Sequence, residues 1–204
     1  MFSMGKVERK KKEKKDALLN TAFELFTTKG IHKTSIADIV EKAGVAKGTF
    51  YLYFSDKYDI RNKLISHKAS QLFHSAKEAM QEETDLTDVS ERVIFIIDHI
   101  LNQLTENKVL LNFISKNLSW GVFKSSIISQ NDTQDINLFN AYNALIENSG
   151  HNFENAEIML YMIIELVGST CYSPILYNEP TSIEEFKPFL YETIRHILQT
   201  HRLD

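Results

Sequence analysis

The chain has 204 residues with 7 glycines, 3 prolines and 1 cysteine, and a net charge of −4. One cysteine excludes an internal disulfide and suits a reducing cytoplasm; scarce Gly and Pro suit helices joined by short connections. Taken whole, the acidic balance argues against a nucleic-acid partner.

The distribution of charge points the other way. Residues 1–68 hold 15 Lys/Arg against 8 Asp/Glu, a net of +7. Residues 69–204 hold the remaining 8 against 19, a net of −11. A basic head on an acidic body is the footprint of a DNA binder whose other domain stays off the duplex. No signal-peptide core is expected, because Ala17-Leu18-Leu19 is interrupted by Asn20 and Thr21. The apolar run from Ile158 to Ile164 stops at Glu165, short of a membrane span, so no membrane partner is expected.

Met1 to Lys15 contains KKKEKK and reads as a mobile basic arm that becomes helical towards Lys12. It is either a solvated tail or a phosphate and minor-groove contact. The first helix continues through Ala17, Leu18, Ala22, Leu25 and Phe26 and stops at Lys29-Gly30. Thr34-Ser35 then offers hydroxyl caps, with Asp38 placed as an acidic cap partner of Ser35. Ile36, Ile39, Val40 and Ala43 recur at helical spacing. Gly44 stands where a left-handed residue ends the helix. A second short helix, roughly Ala46 to Phe54, stacks Phe50 over Phe54, and Ser55-Asp56 caps a third.

Two short helices joined by Gly44-Val45 must cross steeply, which is the helix-turn-helix shape. The outward face of the second carries Lys47, Thr49, Tyr51 and Tyr53. An ordinary helical hairpin with a solvated face has the same outline.

The stretch from Thr34-Ser35-Ile36 through Ala43-Gly44-Val45-Ala46-Lys47-Gly48-Thr49-Phe50-Tyr51-Leu52-Tyr53-Phe54-Ser55-Asp56-Lys57 closely resembles the signature of TetR-family transcriptional regulators. The resemblance covers about sixty residues, Lys10 to Lys68; beyond it the chain matches only in length and helical character. It implies an all-α fold, with an N-terminal three-helix head (residues 1–54) on a larger helical bundle for ligand binding and dimerisation (residues 55–204). A linking helix over 55–80 would serve as the lever between them. Its implied DNA contacts fall on Thr34, Ser35, Lys47, Gly48, Thr49, Tyr51, Tyr53 and Lys57. Thr34 and Lys57, at helix starts, suit phosphates. Lys47 suits a guanine edge and Thr49 a thymine methyl. Tyr51 could instead pack its ring on the first helix.

In the body, helices are expected through Val93 to Leu104 from a start near Asp88, over parts of Val109 to Ile128, and through Ile136 to Ile146 after a cap at Asn131 to Thr133. A turn follows at Ser149-Gly150-His151-Asn152. A long apolar helix then runs from Phe153 to Cys171 and ends or kinks at Ser173-Pro174. A last helix starts at the Ser182–Glu185 capping box, with Pro188 in its first turns. The resemblance implies a cavity for a small-molecule effector, with Phe113, Trp120, Phe123, Tyr142, Met159 and Met162 as lining candidates. Asn112, Asn143 or Glu165 could orient the effector. Ordinary core is the plainer account of each of these residues. The resemblance also implies a homodimer through the last two long helices, using Leu160, Ile164, Gly168, Cys171, Phe189, Thr193 and Ile197.

Catalytic and metal sites are not expected. His67, His74 and His99 lack the convergence and sulfur or carboxylate support that zinc requires, no cofactor motif is visible, and Cys171 reads as a buried apolar side chain. The function expected is a cytoplasmic, operator-binding regulator, a repressor by the family's common mode. The alternatives are an effector-independent DNA-binding structural factor and, from another class, a helical enzyme or lipid carrier.

Overall fold

Local preference already carries the N-terminal run. In the computed structural model, which describes residues 6–83, 86–115 and 138–204 (backbone alone at 138, 139 and 141), α1 runs from Lys6 to Thr28. The helix thus begins well before Lys12, where helicity was expected to set in. Lys, Arg and Glu are strong helix formers, and Arg9 and Glu13 pair one turn apart at 3.5 Å.

The other helices among the described residues are α2 (Ile36–Lys42), α3 (Lys47–Tyr51), α4 (Lys57–Gln81), α5 (Val89–Glu106) and α6 (Lys108–Ser115), then α7 (Leu138–Glu147), α8 (Ala156–Thr170), α9 (Tyr172–Tyr177) and α10 (Ile183–Thr200). Among the described residues there is no strand, and one isolated bridge joins Phe153 to Arg202. The fold is all-α. The chain forms two compact units, Met1–Ile65 and Ser66–Asp204, so the division falls inside α4.

In the first unit Leu18, Leu19, Ala22, Leu25 and Phe26 of α1 are buried together with Ile39 and Val40 of α2, Phe50 and Phe54, and Ile60, Leu64 and Ile65 of α4. Gly44 ends α2 with φ +65°, a conformation that a side chain would strain. The second helix of the motif is shorter than the Ala46 to Phe54 expected. It ends at Tyr51, and the amides of Tyr53 and Phe54 both donate to the Phe50 carbonyl (3.0 Å each), a tight turn that sends Phe54 into the core.

In the second unit α10 packs on α5 and α8, α9 on α6 and α8, and α7 on α8. Asp88 caps α5 by accepting from the amides of Ser90 (2.8 Å) and Glu91 (3.4 Å). The cap expected at Asn131 to Thr133 lies outside the described residues. The long apolar helix starts at Ala156, later than Phe153, which is held in the bridge to Arg202. Ala156–Tyr177 is apolar and long enough by composition to cross a membrane. It is divided by a bend at Cys171, and its Met159, Leu160, Ile163, Cys171 and Ile175 are buried in this unit's core. Pro174 sits in the first turn of α9, where its missing N–H costs nothing.

At the start of α10 only half of the expected capping box forms. Ser182 accepts from the Glu185 amide (3.3 Å), while the Glu185 carboxylate is taken by the Thr181 hydroxyl. Further along, Lys187 is buried between α5 and α10. Its Nζ donates to Asn102 Oδ1 (2.6 Å) and pairs with Asp98 (3.0 Å) and Glu184 (3.3 Å), and the Tyr191 hydroxyl also donates to Asp98. Burial pushes the Asp98 carboxyl up, but the hydrogen bonds from Tyr191 and Lys187 outweigh it and hold Asp98 below its ordinary value.

Lys187→Met should lower stability by about 1–3 kcal/mol, less than for a fully enclosed pair because Asp98 and Glu184 can still reach water. A carboxylate depressed by folding stabilises fully above its unfolded value, about pH 4, and loses that contribution as pH falls through the folded value. Thermal melts of both proteins should therefore show a steady gap from about pH 5 to 8 that narrows below about pH 4.

Candidate nucleic-acid interface and internal cavity

The head presents α3 by fixing its inner face. Phe50 and Phe54 are fully buried, with ring centroids 5.5 Å apart, and Tyr51 meets the edge of Phe50 at 5.5 Å. On the opposite side Lys47 and Gly48 are exposed, and Tyr51 is 52% exposed. Lys47 and the Thr49 hydroxyl have no side-chain partner among the described residues. A Cβ placed on Gly48 meets nothing within 4 Å, so the fold itself does not require glycine there. A surface with open space over a bare backbone, beside a free cation, lets another molecule's backbone approach closely.

Several residues expected to touch DNA do other work. Thr34 is only 1% exposed, and its hydroxyl donates to the carbonyls of Gly30 (2.9 Å) and Leu25 (3.4 Å), closing the end of α1. Its side chain cannot also reach a phosphate. Lys57 turns its ammonium onto the carbonyls of Ile31 (3.0 Å) and Thr34 (3.3 Å), pinning the loop before α2. The Tyr53 hydroxyl donates to the Lys11 carbonyl (3.1 Å), and Lys63 holds the Tyr53 carbonyl at 2.9 Å. Ser35 remains exposed and caps α2 in a complete box. Its amide donates to Asp38 (2.8 Å), its hydroxyl donates to the same carboxylate (2.8 Å), and its oxygen faces the Asp38 amide (3.1 Å). Those bonds, the amide's first, hold the Asp38 carboxyl below its usual range.

Leu52, next to α3 and 78% exposed, was missed by the motif reading. Its offset from the Phe50–Phe54 stripe was the available signal.

The second unit contains a cavity of about 460 Å³ that is partly open to its surface. Its wall is built by Leu72 and Phe73 of α4, Ile97 and Ile100 of α5, Leu111 of α6 and Ile163 of α8, among others. Of the residues expected to line an effector cavity, Tyr142 is in its wall. Phe113, Met159 and Met162 are not, because α8 turns Leu160, Ile163, Ile164 and Val167 inward and leaves both methionines on neighbouring faces. Trp120 and Phe123 lie outside the described residues. Four residues expected at a subunit interface, Leu160, Ile164, Gly168 and Cys171, line this cavity; Leu160 and Cys171 are buried, while Gly168 is also exposed. Burial pushes the Cys171 thiol up to about 11, against the opposing pull of Thr170 and Lys187, so it is not a nucleophile at neutral pH. The exposed side of α8 holds Ile158, Tyr161 and Gly168, and on α10 Phe189 is 71% exposed beside Thr193. Ile197 is half-buried. Among the described residues no three His, Cys, Asp or Glu side chains converge as a metal site. His74 pairs with Glu78 (3.2 Å) and His99 with the Ser75 hydroxyl (3.2 Å).

Residues 18–64 match the model of the bacterial regulatory proteins of the tetR family. The HTH-type transcriptional regulator YvdT of Bacillus subtilis is 46% identical over 63 residues, 29% of this chain and 32% of that protein. The chain's matches span about a third to a half of the length of the curated relatives. A TetR-family transcriptional regulator of Syntrophomonas wolfei has the same fold, with a TM-score of 0.65 at 24% identity over 92% of this chain and 96% of that one. FadR of Bacillus subtilis, crystallised with stearoyl-CoA, shares it at a TM-score of 0.59 and 18% identity, over 88% and 96%. The head thus carries the tetR-family signature over residues 18–64, and the chain shares the fold of solved TetR-family regulators.

Proposed function

We propose that this protein is a sequence-specific DNA-binding transcriptional regulator, acting in the cytoplasm as a repressor. It holds a palindromic operator as a twofold dimer and lets go when a small, largely apolar ligand enters the second unit. The observation that carries this reading is the outer face of α3. Lys47 and Thr49 are uncommitted, Gly48 leaves open space, and Tyr51 and Leu52 are exposed, all on a helix anchored from behind by buried rings. Such a face suits base edges and thymine methyls in a major groove. The basic balance of the first 68 residues supplies the attraction for phosphates.

Thr34, Lys57 and Tyr53 act as braces in this account; Ser35, Lys47, Gly48, Thr49 and Tyr51 remain the proposed contacts, joined by Leu52. The cavity supports ligand control over an effector-independent structural factor, which a filled body would have favoured. The stearoyl-CoA complex of the FadR neighbour supports an apolar ligand. α4 offers the coupling route: Ile60, Leu64 and Ile65 belong to the core of the first unit, while Leu72 and Phe73 of the same helix line the cavity. For the dimer we propose the exposed side of α8, with Ile158, Tyr161 and Gly168, together with Phe189 and Thr193 of α10 and the half-buried Ile197 at its edge.

Selection of bound fragments from the source genome, followed by footprinting, should reveal two protected half-sites about one DNA turn apart. On that site Lys47→Ala and Tyr51→Ala should weaken binding by about tenfold or more without lowering the melting temperature. Thr34→Val should do the reverse, costing about 1 kcal/mol of stability and leaving affinity within about twofold. A footprint with no sequence preference would remove the operator from the account. Light scattering should give a dimer mass, and Phe189→Glu should shift it towards monomer; a wild-type monomer at micromolar concentration would refute the proposed pairing.

A further inference from the structure

The first turns of α1 have a charge and a form that the packing of the head does not explain. The first buried residue of the helix is Leu18, and Lys6 to Lys14 are all exposed. This stretch projects about 13 Å of helix beyond the core, at roughly 1.5 Å per residue. Six of its nine residues are Lys or Arg against two Glu, a net of +4. Lys6 and Lys10, Lys10 and Lys14, and Lys11 and Lys15 each stand one turn apart, and like charges at that spacing repel along a helix. A polyanion laid beside the stretch turns that repulsion into attraction.

Helical geometry gives the overhang a direction. Lys11 and Lys14 precede Leu18 by two turns and one turn, so they continue the face of α1 that packs into the core further along. The Arg9–Glu13 pair (3.5 Å) falls towards the opposite side of the helix. The Tyr53 hydroxyl donates to the Lys11 carbonyl at 3.1 Å, across 42 positions of sequence. Tyr53 stands just beyond the end of α3 at Tyr51, within about 7 Å of chain. One hydrogen bond thus holds the basic overhang beside the end of α3.

A duplex that seats α3 in its major groove brings its adjoining backbone to this overhang. Helical form decides which part of the DNA is met. With side chains a helix is about 10–12 Å across, while the minor groove is about 6 Å wide, so α1 cannot enter it. One strand sets a phosphate about every 3.4 Å of axis, so the overhang passes roughly four of them. We propose that the first turns of α1 are a second DNA-binding surface, a helical rail whose Lys10, Lys11 and Lys14 hold backbone phosphates beside each half-site and read no bases. Tyr53 is its positioning residue. The inference rests on reading the head as a duplex binder.

The test is a potassium chloride series of binding titrations on the selected operator and on a random-sequence duplex. The proteins are the full chain, a variant combining Lys10→Gln, Lys11→Gln and Lys14→Gln, Tyr53→Phe, and all four substitutions together. Gln forms helix about as well as Lys, so the melting temperature of the three-Gln variant should not fall. That variant should bind both duplexes about tenfold or more weakly at about 0.1 M salt, with the operator-to-random ratio unchanged. Its plot of log affinity against log salt should be shallower by about two to three. Tyr53→Phe should weaken binding by the full chain and add little to the three-Gln variant, because it acts through the overhang. An unchanged salt slope overturns the proposal, and so does a changed operator-to-random ratio, which would mean base contact. Equal losses from Tyr53→Phe in both backgrounds overturn its positioning role and make its hydroxyl a direct contact. The slope is read on random sequence and needs no operator. A shallower slope in a chain without operator preference supports the rail and overturns the regulatory reading, whereas operator preference with an unchanged slope overturns the rail alone.

Discussion

The burial of Phe50 and Phe54 positions everything that the head can do. α3 is five residues long, far below the length at which a helix persists by itself in water. Its form and orientation come from packing instead. Two enclosed phenylalanines contribute on the order of 3–6 kcal/mol of apolar burial, which outweighs the cost of ordering one helical turn. They do so against α1, α2 and the start of α4, so the outer face of α3 is presented at an angle set by a shared core. A set of polar braces then locks the surrounding loops: Thr34 onto the end of α1, Lys57 onto the carbonyls before α2, and Tyr53 and Lys63 onto the backbone around them. Precise placement of a few side chains, rather than a large contact area, is what groove recognition needs.

The same braces mark the limit of what the chain discloses as a string of letters. The helix-turn-helix was legible because its determinants are local: a cap at Ser35, a left-handed Gly44, aromatic residues four apart, and Asp56 before α4. Composition and charge separated a basic head from an acidic body. The destinations of Thr34, Lys57 and Tyr53 were not legible. A hydroxyl or ammonium at a helix start suits a phosphate and a neighbouring carbonyl equally well, and the choice depends on residues 4 to 42 positions distant. The orientation of α8 was also hidden, because nearly every position on it is apolar. Periodicity cannot say which face turns inward when all faces qualify, so the burial of Leu160 and Cys171 in the cavity wall was not legible.

α4 joins the reading head to the cavity. One continuous helix supplies side chains to the head's core and to the cavity wall, so occupancy of the second unit has a covalent path to the first. Any coupling along it must be reciprocal: a ligand that weakens DNA binding is itself weakened by DNA, by the same factor. An apolar wall would make the entry of the proposed ligand largely a matter of burial, which gives affinity with little directional demand. Direction then falls to the few polar groups in the wall. The Lys187 cluster, outside the cavity, ties α5 to α10 and gives that wall a firm back.

The most direct test of the central claim is a titration of the chain onto the DNA flanking its own gene, against a scrambled fragment of equal length, at two salt concentrations. A base-reading α3 predicts dimer-sized binding that exceeds the scrambled control by about a thousandfold and keeps that ratio as salt rises. Equal binding to both fragments, collapsing together with salt, would mean that only phosphates are held. That result would contradict the assignment of α3 as a base-reading helix.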